Sequence, residues 1–279
     1  MLNLDILFFD LDGTLLSPDH RTVSPRNQKA LADVQAAGVR LSLATGRCLG
    51  MIPEGAMSLG IDYAMTSNGA AIYDLKQNRQ IYHYPFPASK AAEACQIICR
   101  HIDFLEFFVD GSVILTRSLR AKAAGDTMPP WGHFYIERRG GLPPLIEMDT
   151  FLADGAPGLE KINLLHCNTD TLLTLQSELS ATGLFDLSSS MGYGGLEIMP
   201  KECTKGSALH WLCRHIGSSP DRSAAFGDSS NDREMLAAAG CGVAMGNAPD
   251  DLRESADYVA PPYDEDGIAQ FIEQFVIQK

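Results

Sequence analysis

The stretch Ile6-Leu7-Phe8-Phe9-Asp10-Leu11-Asp12-Gly13-Thr14-Leu15 is an apolar run that ends abruptly in two carboxylates, a glycine and a threonine. An unbroken apolar run closed by a turn signal predicts a buried strand over 5–10. In open α/β sheets ligands bind beyond the carboxyl ends of the strands, so Asp10 and Asp12 stand where chemistry would be done. By itself Asp12-Gly13 is also an ordinary turn pair, and the rest of the chain has to decide between the two.

Two carboxylates this close repel. At an effective dielectric of about 20, unit charges about 4 Å apart cost roughly 4 kcal/mol, so a cation is required nearby. Its further ligands are supplied by Ala224-Ala225-Phe226-Gly227-Asp228-Ser229-Ser230-Asn231-Asp232, a second apolar run that stops in acids. Oxygen-rich side chains from two strand ends suit a small hard cation such as Mg²⁺ and suit zinc poorly. An EF-hand is excluded: counting from Asp10, glycine falls fourth and Arg21 twelfth, where that loop needs glycine sixth and glutamate twelfth.

Two more pieces complete a phosphate site. Leu43-Ala44-Thr45-Gly46-Arg47 follows an apolar strand, and Thr204-Lys205-Gly206 opens an amphipathic segment through Ala208, Leu209 and Leu212. A hydroxyl and backbone amides can hold a phosphate, while an ammonium neutralises it as a point charge. Each piece also has a plain structural reading: Thr45-Gly46 as a strand end, Lys205 as a solvated first-turn lysine, Asn231-Asp232 as a helix start. The ordered set of four strand-to-loop junctions carries the argument.

In that order the junctions resemble the motifs of the haloacid dehalogenase-like (HAD) superfamily of phosphotransferases: Asp10-Leu11-Asp12-Gly13-Thr14, Thr45-Gly46, Lys205, and Gly227-Asp228 to Asp232. Thr45-Gly46-Arg47, Ser67-Asn68-Gly69-Ala70, Leu196-Glu197-Ile198-Met199-Pro200 and Met245-Gly246-Asn247-Ala248 are similar to the pattern of its Cof-type phosphatases. The matches cover both ends of the chain. The stretch from about Pro85 to Ser190 carries none, and it is where that subfamily places a substrate-covering cap.

The resemblance implies an α/β fold, with a doubly wound parallel-sheet (Rossmann-like) HAD core over 1–84 and 200–279 and an inserted α+β cap domain over 85–199 that sets substrate specificity. It also implies Mg²⁺-dependent hydrolysis of small phosphate monoesters through an aspartyl-phosphate on Asp10, with Asp12 as general acid and then base. Metal ligands would be Asp10, Asp12 through its backbone carbonyl, Asp228, and Asp232 directly or through water. Phosphate contacts would come from Leu11, Thr45, Gly46, Lys205 and Asn231. The expected partner is a small phosphorylated metabolite, either a sugar phosphate or a phosphorylated cofactor such as pyridoxal phosphate or flavin mononucleotide. Substrate groups are expected at the Ser67-Asn68-Gly69 turn and on the cap near Ser188-Ser189-Ser190. Phe107, Phe108, Trp131, Phe134 and Tyr135 are either cap core or a stacking surface for a flat ring. A phosphomutase of the same superfamily, or a non-catalytic regulator that senses a phosphorylated metabolite, stays open as an alternative. Release of inorganic phosphate separates the first, and the presence of both Asp10 and Lys205 speaks against the second.

Composition fits this outline. A chain of 279 residues with 45% hydrophobic content can bury a full core in one large or two smaller domains. A net charge of -13 opposes a sequence-independent nucleic-acid binder, which needs a basic surface to displace counterions. No apolar run reaches membrane-spanning length, and Asp5 and Asp10 would interrupt the apolar core of a signal segment, so a cytoplasmic protein is expected. Seven cysteines without tight pairing motifs fit reduced thiols, with Cys95 and Cys99 as core residues and Cys48 buried beside the Thr45 loop.

In the first segment the pattern predicts a helix from Ser24-Pro25 to Gly38, a strand over 39–44, a helix to about Leu59, a strand over 63–66 and a hairpin through 76–79. The middle reads as helix 88–101, strands 104–109 and 112–116, a loop rich in Pro, Gly and Arg, strand 159–166, helix 170–182, and strands 184–188 and 195–199. These suggest one sheet with a helical face. Gly192-Tyr193-Gly194-Gly195 precedes a strand, so it is taken as a hinge or loop and not a dinucleotide fingerprint. After Pro200, helices over 204–216, 230–239, 248–255 and 265–277 alternate with strands over 222–227, 241–245 and 258–260, a spacing that requires parallel pairing.

Overall fold

Every residue of the run Ile6–Phe9 is buried, and the reason lies in the period-2 alternation of a strand. Leu7 and Phe9 enter one apolar cluster with Ala30, Leu31 and Val34, whereas Ile6 and Phe8 enter another with Leu209, Leu212 and Met235. Such a strand must lie inside a sheet covered by helices on both faces. The structure, a computed structural model, describes residues 2–130, 132–133, 141–190 and 195–277. Trp131, Phe134, Tyr135 and the Gly192-Tyr193-Gly194 stretch lie outside the described residues.

In chain order the first elements are β1 (Ile6–Phe9), α1 (Pro25–Ala36), β2 (Arg40–Ala44), α2 (Glu54–Met57), β3 (Tyr63–Thr66), β4 (Ala71–Asp74) and β5 (Arg79–His83). Then come α3 (Ala88–Ile98), β6 (Phe104–Val109), β7 (Ser112–Arg117), α4 (Leu119–Ala124), β8 (Leu145–Glu147), α5 (Met148–Ala153), β9 (Leu159–Leu164), α6 (Thr169–Thr182), β10 (Phe185–Ser190) and β11 (Gly195–Pro200). The last stretch holds α7 (Lys205–His215), β12 (Ser223–Gly227), α8 (Arg233–Ala238), β13 (Cys241–Met245), α9 (Asp250–Ser255), β14 (Tyr258–Ala260) and α10 (Gly267–Phe275). Among the described residues, no helix is long and apolar enough to cross a membrane.

Two compact units result: Met1–His83 with Cys203–Lys279, and Tyr84–Glu202. The second unit thus runs slightly beyond the 85–199 expected from the prolines. Pro200 still pairs with Phe185, the Lys201 N–H donates to the Leu184 carbonyl, and the Glu202 N–H donates to Asp186.

The first unit is an eight-stranded sheet in the order β14-β13-β12-β1-β2-β3-β4-β5. Its pairing is parallel from β14 to β3, as a doubly wound α/β sheet requires, while β4 and β5 add an antiparallel edge hairpin. At α1, Ser24 accepts the Asn27 N–H and Pro25 occupies the first helical position. The buried Asn27 side chain accepts the Ala269 N–H and ties α1 to α10. The helix expected up to Leu59 is instead a 3₁₀ turn at Leu49–Met51 followed by the one-turn α2, because Pro53 cannot continue a helix.

The second unit is a six-stranded sheet in the order β10-β11-β9-β6-β7-β8, antiparallel except for β7 with β8. One face, with Leu105, Phe107, Ile162, Leu164, Leu196 and Ile198, packs on α3, α5 and α6 through residues such as Ala94, Met148 and Leu175. Cys95 belongs to that core, and burial pushes its thiol well up, which leaves it inert. Phe107 is core as well. The alternate residues carry a polar row, buried except at Glu197: Asn163 donates to Glu106 at 2.6 Å, and Lys161 pairs with Glu197 at 2.7 Å while standing over the Phe108 ring. The stretch expected as a loop contains α4, β8 and α5. At α4, Ser118 accepts the Ala121 N–H and Gly125, at φ +78°, ends the helix.

Candidate active site

Asp10 is the first residue past β1, buried, with its N–H donating to the Phe226 carbonyl on the neighbouring strand. Beyond it the chain folds into a tight turn over Leu11–Leu15, closed by the Leu16 N–H on the buried Leu11 carbonyl. Gly13 sits there at φ +81°, where a Cβ would fall 2.4 Å from Asp228 Oδ2. Only glycine satisfies both the left-handed backbone and the close approach.

Asp228 and Asp232 follow β12. The Thr14 hydroxyl donates to Asp228 at 2.9 Å, with Ser229 and Asn247 both at 3.4 Å. Asn247 also donates to the Gly13 carbonyl, which ties the two strand-end turns together. Asp232 folds back so that its Oδ2 accepts the N–H groups of both Asp228 and Ser229 at 3.0 Å. That closure turns the expected start of helix 230–239 into a 3₁₀ turn, Ser230–Asp232, ahead of α8.

Lys205 opens α7, where Thr204 and Ser207 cap each other reciprocally. Far from being a solvated first-turn lysine, it is fully buried and donates to Asp10 at 2.7 Å and to Asp232 at 2.6 Å. Oxygens of Asp10, Asp228 and Asp232 lie within 4.8 Å of one another. Burial pushes the Asp10 carboxyl well above the usual range; Lys205 opposes that rise, and Asp232 and Asp228 add to it. Burial and then the Asp232 charge push Asp228 up to about 6. At Lys205 burial favours the neutral amine, but the two aspartates outweigh it and hold the ammonium charged. Three carboxylates thus face one ammonium, and the excess negative charge together with an all-oxygen donor set fits a hard divalent cation. Among the described residues, this is the one His, Cys, Asp and Glu group with metal-binding spacing.

Thr45 is buried at the end of β2. Its hydroxyl accepts the Arg47 N–H and its carbonyl accepts the Asn68 N–H. Gly46 lies between these two anchors in the chain. Ser67 and Asn68 both adopt positive φ, and a Cβ on Gly69 would meet the Thr204 carbonyl at 2.4 Å, so this turn is pressed against the start of α7. Asn231 donates to Asn68 at 3.1 Å, while its buried Oδ1 has no hydrogen-bond partner.

Asp12 stands apart from the acidic group. Its half-exposed carboxylate is paired with Arg47 and His20, so the side chains that meet at the centre are Asp10, Asp228, Asp232 and Lys205. Sequence reasoning gave no role to Thr14, Arg47 or Asn247, and placed Asn68 only in a turn expected to meet substrate groups. All four lie within the quoted motifs, but nothing in their spacing says which partner each takes.

A doubly wound sheet with buried acids and a lysine converging at its strand ends defines the class: a phosphoryl-transfer hydrolase of the HAD kind. Residues 7–272 match the family model described as haloacid dehalogenase-like hydrolase. The chain is 32% identical over 253 residues to an HMP-PP phosphatase of Serratia proteamaculans, covering 88% of this chain and 85% of that protein. It is 30% identical over 280 residues to the pyridoxal phosphate phosphatase YbhA of Escherichia coli, covering 98% of each. A solved haloacid dehalogenase-like hydrolase from B. subtilis superposes with a TM-score of 0.79 at 25% identity, covering 98% of this chain and all of that one. The chain belongs to the haloacid dehalogenase-like hydrolases, in the Cof-type branch, and is a hydrolase acting on phosphate monoesters.

Proposed function

We propose that the protein is an Mg²⁺-dependent phosphatase of small phosphorylated metabolites that works through an aspartyl-phosphate on Asp10. The observation that carries this reading is the buried bridge from Lys205 to Asp10 and Asp232, with Asp228 completing the acidic group. The metal would be held by Asp10, Asp228 and the Asp12 carbonyl, with Asp232 direct or through water; when bound, it supplies charge neutralisation for the transferring group. Both Asp232 oxygens are already engaged, by Lys205 and by two backbone amides, which favours the water-mediated arrangement.

Asp10 attacks phosphorus in line, splitting one hard displacement into two easier ones. Lys205 holds Asp10 in aim, opposes the rise that burial imposes on its carboxyl, and offsets charge on the phosphoryl oxygens. Thr45, the Gly46 amide, the Leu11 amide and the Asn231 side-chain NH₂, which donates to Asn68 in the structure, bracket the phosphate as donors. Asp12 gives its proton to the leaving alcohol and then takes one from water. The names of the relatives favour a phosphorylated cofactor or its precursor as substrate. We assign selection among them to the unit over 84–202, which carries a polar row of Glu106, Asn163, Lys161 and Glu197 on one sheet face.

The test is phosphate release from a panel of monoesters (an aryl phosphate, hexose phosphates, pyridoxal phosphate, flavin mononucleotide) with Mg²⁺ or chelator. Wild type is expected to release phosphate only with Mg²⁺, and Asp10→Asn to lose at least about 10³-fold while keeping its far-UV circular dichroism. Substantial turnover by folded Asp10→Asn would sink the nucleophile assignment.

A further inference from the structure

Asp10 and Asp12 are neighbours on one turn, yet their carboxylates take separate routes. That of Asp10 joins the buried acids, while that of Asp12 is held by Arg47 in a two-pronged contact, Nε to Oδ2 at 2.8 Å and Nη2 to Oδ1 at 2.5 Å. His20 brings Nδ1 to 3.0 Å of the same Oδ1 from a residue at φ +56°. Arg47 is itself fixed at three further points: its Nη1 donates to the Met51 carbonyl at 3.1 Å, its N–H to the Thr45 hydroxyl at 3.1 Å, and its carbonyl accepts the Ser67 N–H at 2.9 Å.

We propose that Arg47 is a positioning residue that sets where, and in which plane, the Asp12 carboxyl meets the leaving group, with His20 as a weaker second arm. A planar guanidinium bonded to both oxygens fixes orientation as well as place, which a lysine cannot do. With the Asp12 side chain 42% exposed, the pair contributes little to stability, so its value lies in geometry. Because Arg47 is mounted on the loop of Thr45, the segment assigned to the phosphate also aims the proton donor. This inference rests on the role proposed above for Asp12.

The chemistry supplies a readout that a structural staple would not move. In the first step the bond from Asp10 oxygen to phosphorus forms as the phosphorus–oxygen bond to the leaving group breaks. An alkoxide must collect a proton at that moment, so Asp12 enters the step as the protonated carboxyl, accepting from Arg47 while its O–H faces the leaving group, whereas p-nitrophenolate departs as the anion and needs none. Rapid-quench single turnovers would therefore compare a hexose phosphate with p-nitrophenyl phosphate in wild type, Arg47→Gln, Arg47→Lys and His20→Ala.

Arg47→Gln is expected to slow phosphoenzyme formation from the hexose phosphate by about 30- to 100-fold, and from the aryl ester by less than about 3-fold. The aryl ester would then show a burst followed by slow turnover, since water must still give its proton to Asp12. Arg47→Lys should recover part of the loss, and His20→Ala should show the same asymmetry at smaller size. Equal losses for both esters in an active enzyme, or no loss for either, would overturn the inference alone. If Arg47→Gln fails to fold, the Arg47→Lys and His20→Ala ratios decide in the same way. A wild type that releases no phosphate from any monoester overturns the proposed function, and this inference with it.

Discussion

Asp228 shows how much of the site's energy is stored in single residues. Its carboxyl rises from 3.8 to about 6 because burial and the nearby Asp232 outweigh the help of Thr14 and Lys205. A folded-state value above the unfolded one means that the protonated form is the one folding favours. The contribution is fully present below about 3.8 and is lost as pH rises through about 6. In chelator, wild type should therefore lose stability relative to Asp228→Asn between pH 4 and pH 7, by roughly 1–3 kcal/mol. Denaturant unfolding of both proteins at the two pH values measures the difference, and a gap that stays constant with pH would refute it. Divalent cation at about 100 times its dissociation constant should return about 2.7 kcal/mol to wild type at pH 7, closing the gap.

At the scale of elements, the helix α7 shows how a local motif delivers a distant side chain. Thr204 and Ser207 fix its first turn, and that turn carries Lys205 195 residues along the chain to Asp10. Thr204→Ala should cost about 1 kcal/mol of stability and lower kcat/KM several-fold by loosening the lysine, whereas Thr204→Ser should retain both. Urea unfolding together with kinetics would show whether cap and activity move together; a destabilised variant with unchanged kinetics would place the lysine's aim elsewhere. Elements with a strong period or a clear stop were legible in the sequence: β3, β13 and β14 fall on the residues expected, and α1 begins at its Ser-Pro signal. The stretch holding α4, β8 and α5 was not. Its Pro, Gly and charged residues mask short elements whose existence depends on remote partners, β8 being a strand through its pairing with β7.

At the scale of the whole molecule, chain ends far apart in sequence build one sheet, with β12 laid beside β1, and the intervening residues form a second unit with its own core. If that second unit selects substrate, replacing 84–202 by the corresponding segment of the pyridoxal phosphate phosphatase relative should reorder the monoester ranking and leave the Mg²⁺ requirement intact. A chimera that folds and keeps the original ranking would remove specificity from that unit.

The sequence by itself determined that apolar runs alternate as buried strands and helix faces, and that acids, a hydroxyl and a lysine stand at the ends of strands. These are local properties, written in the period of apolar residues and in the turn chemistry that stops them. Only the tertiary structure decided the pairings: Asp232 spent on Lys205 and two amides, Asp12 turned to Arg47 and away from Asp10, Asn231 reaching Asn68, and an antiparallel hairpin closing one edge of the parallel sheet. Each depends on distances and directions between residues up to hundreds of positions apart. Those become definite only when packing on both faces of the sheet has fixed every strand in register.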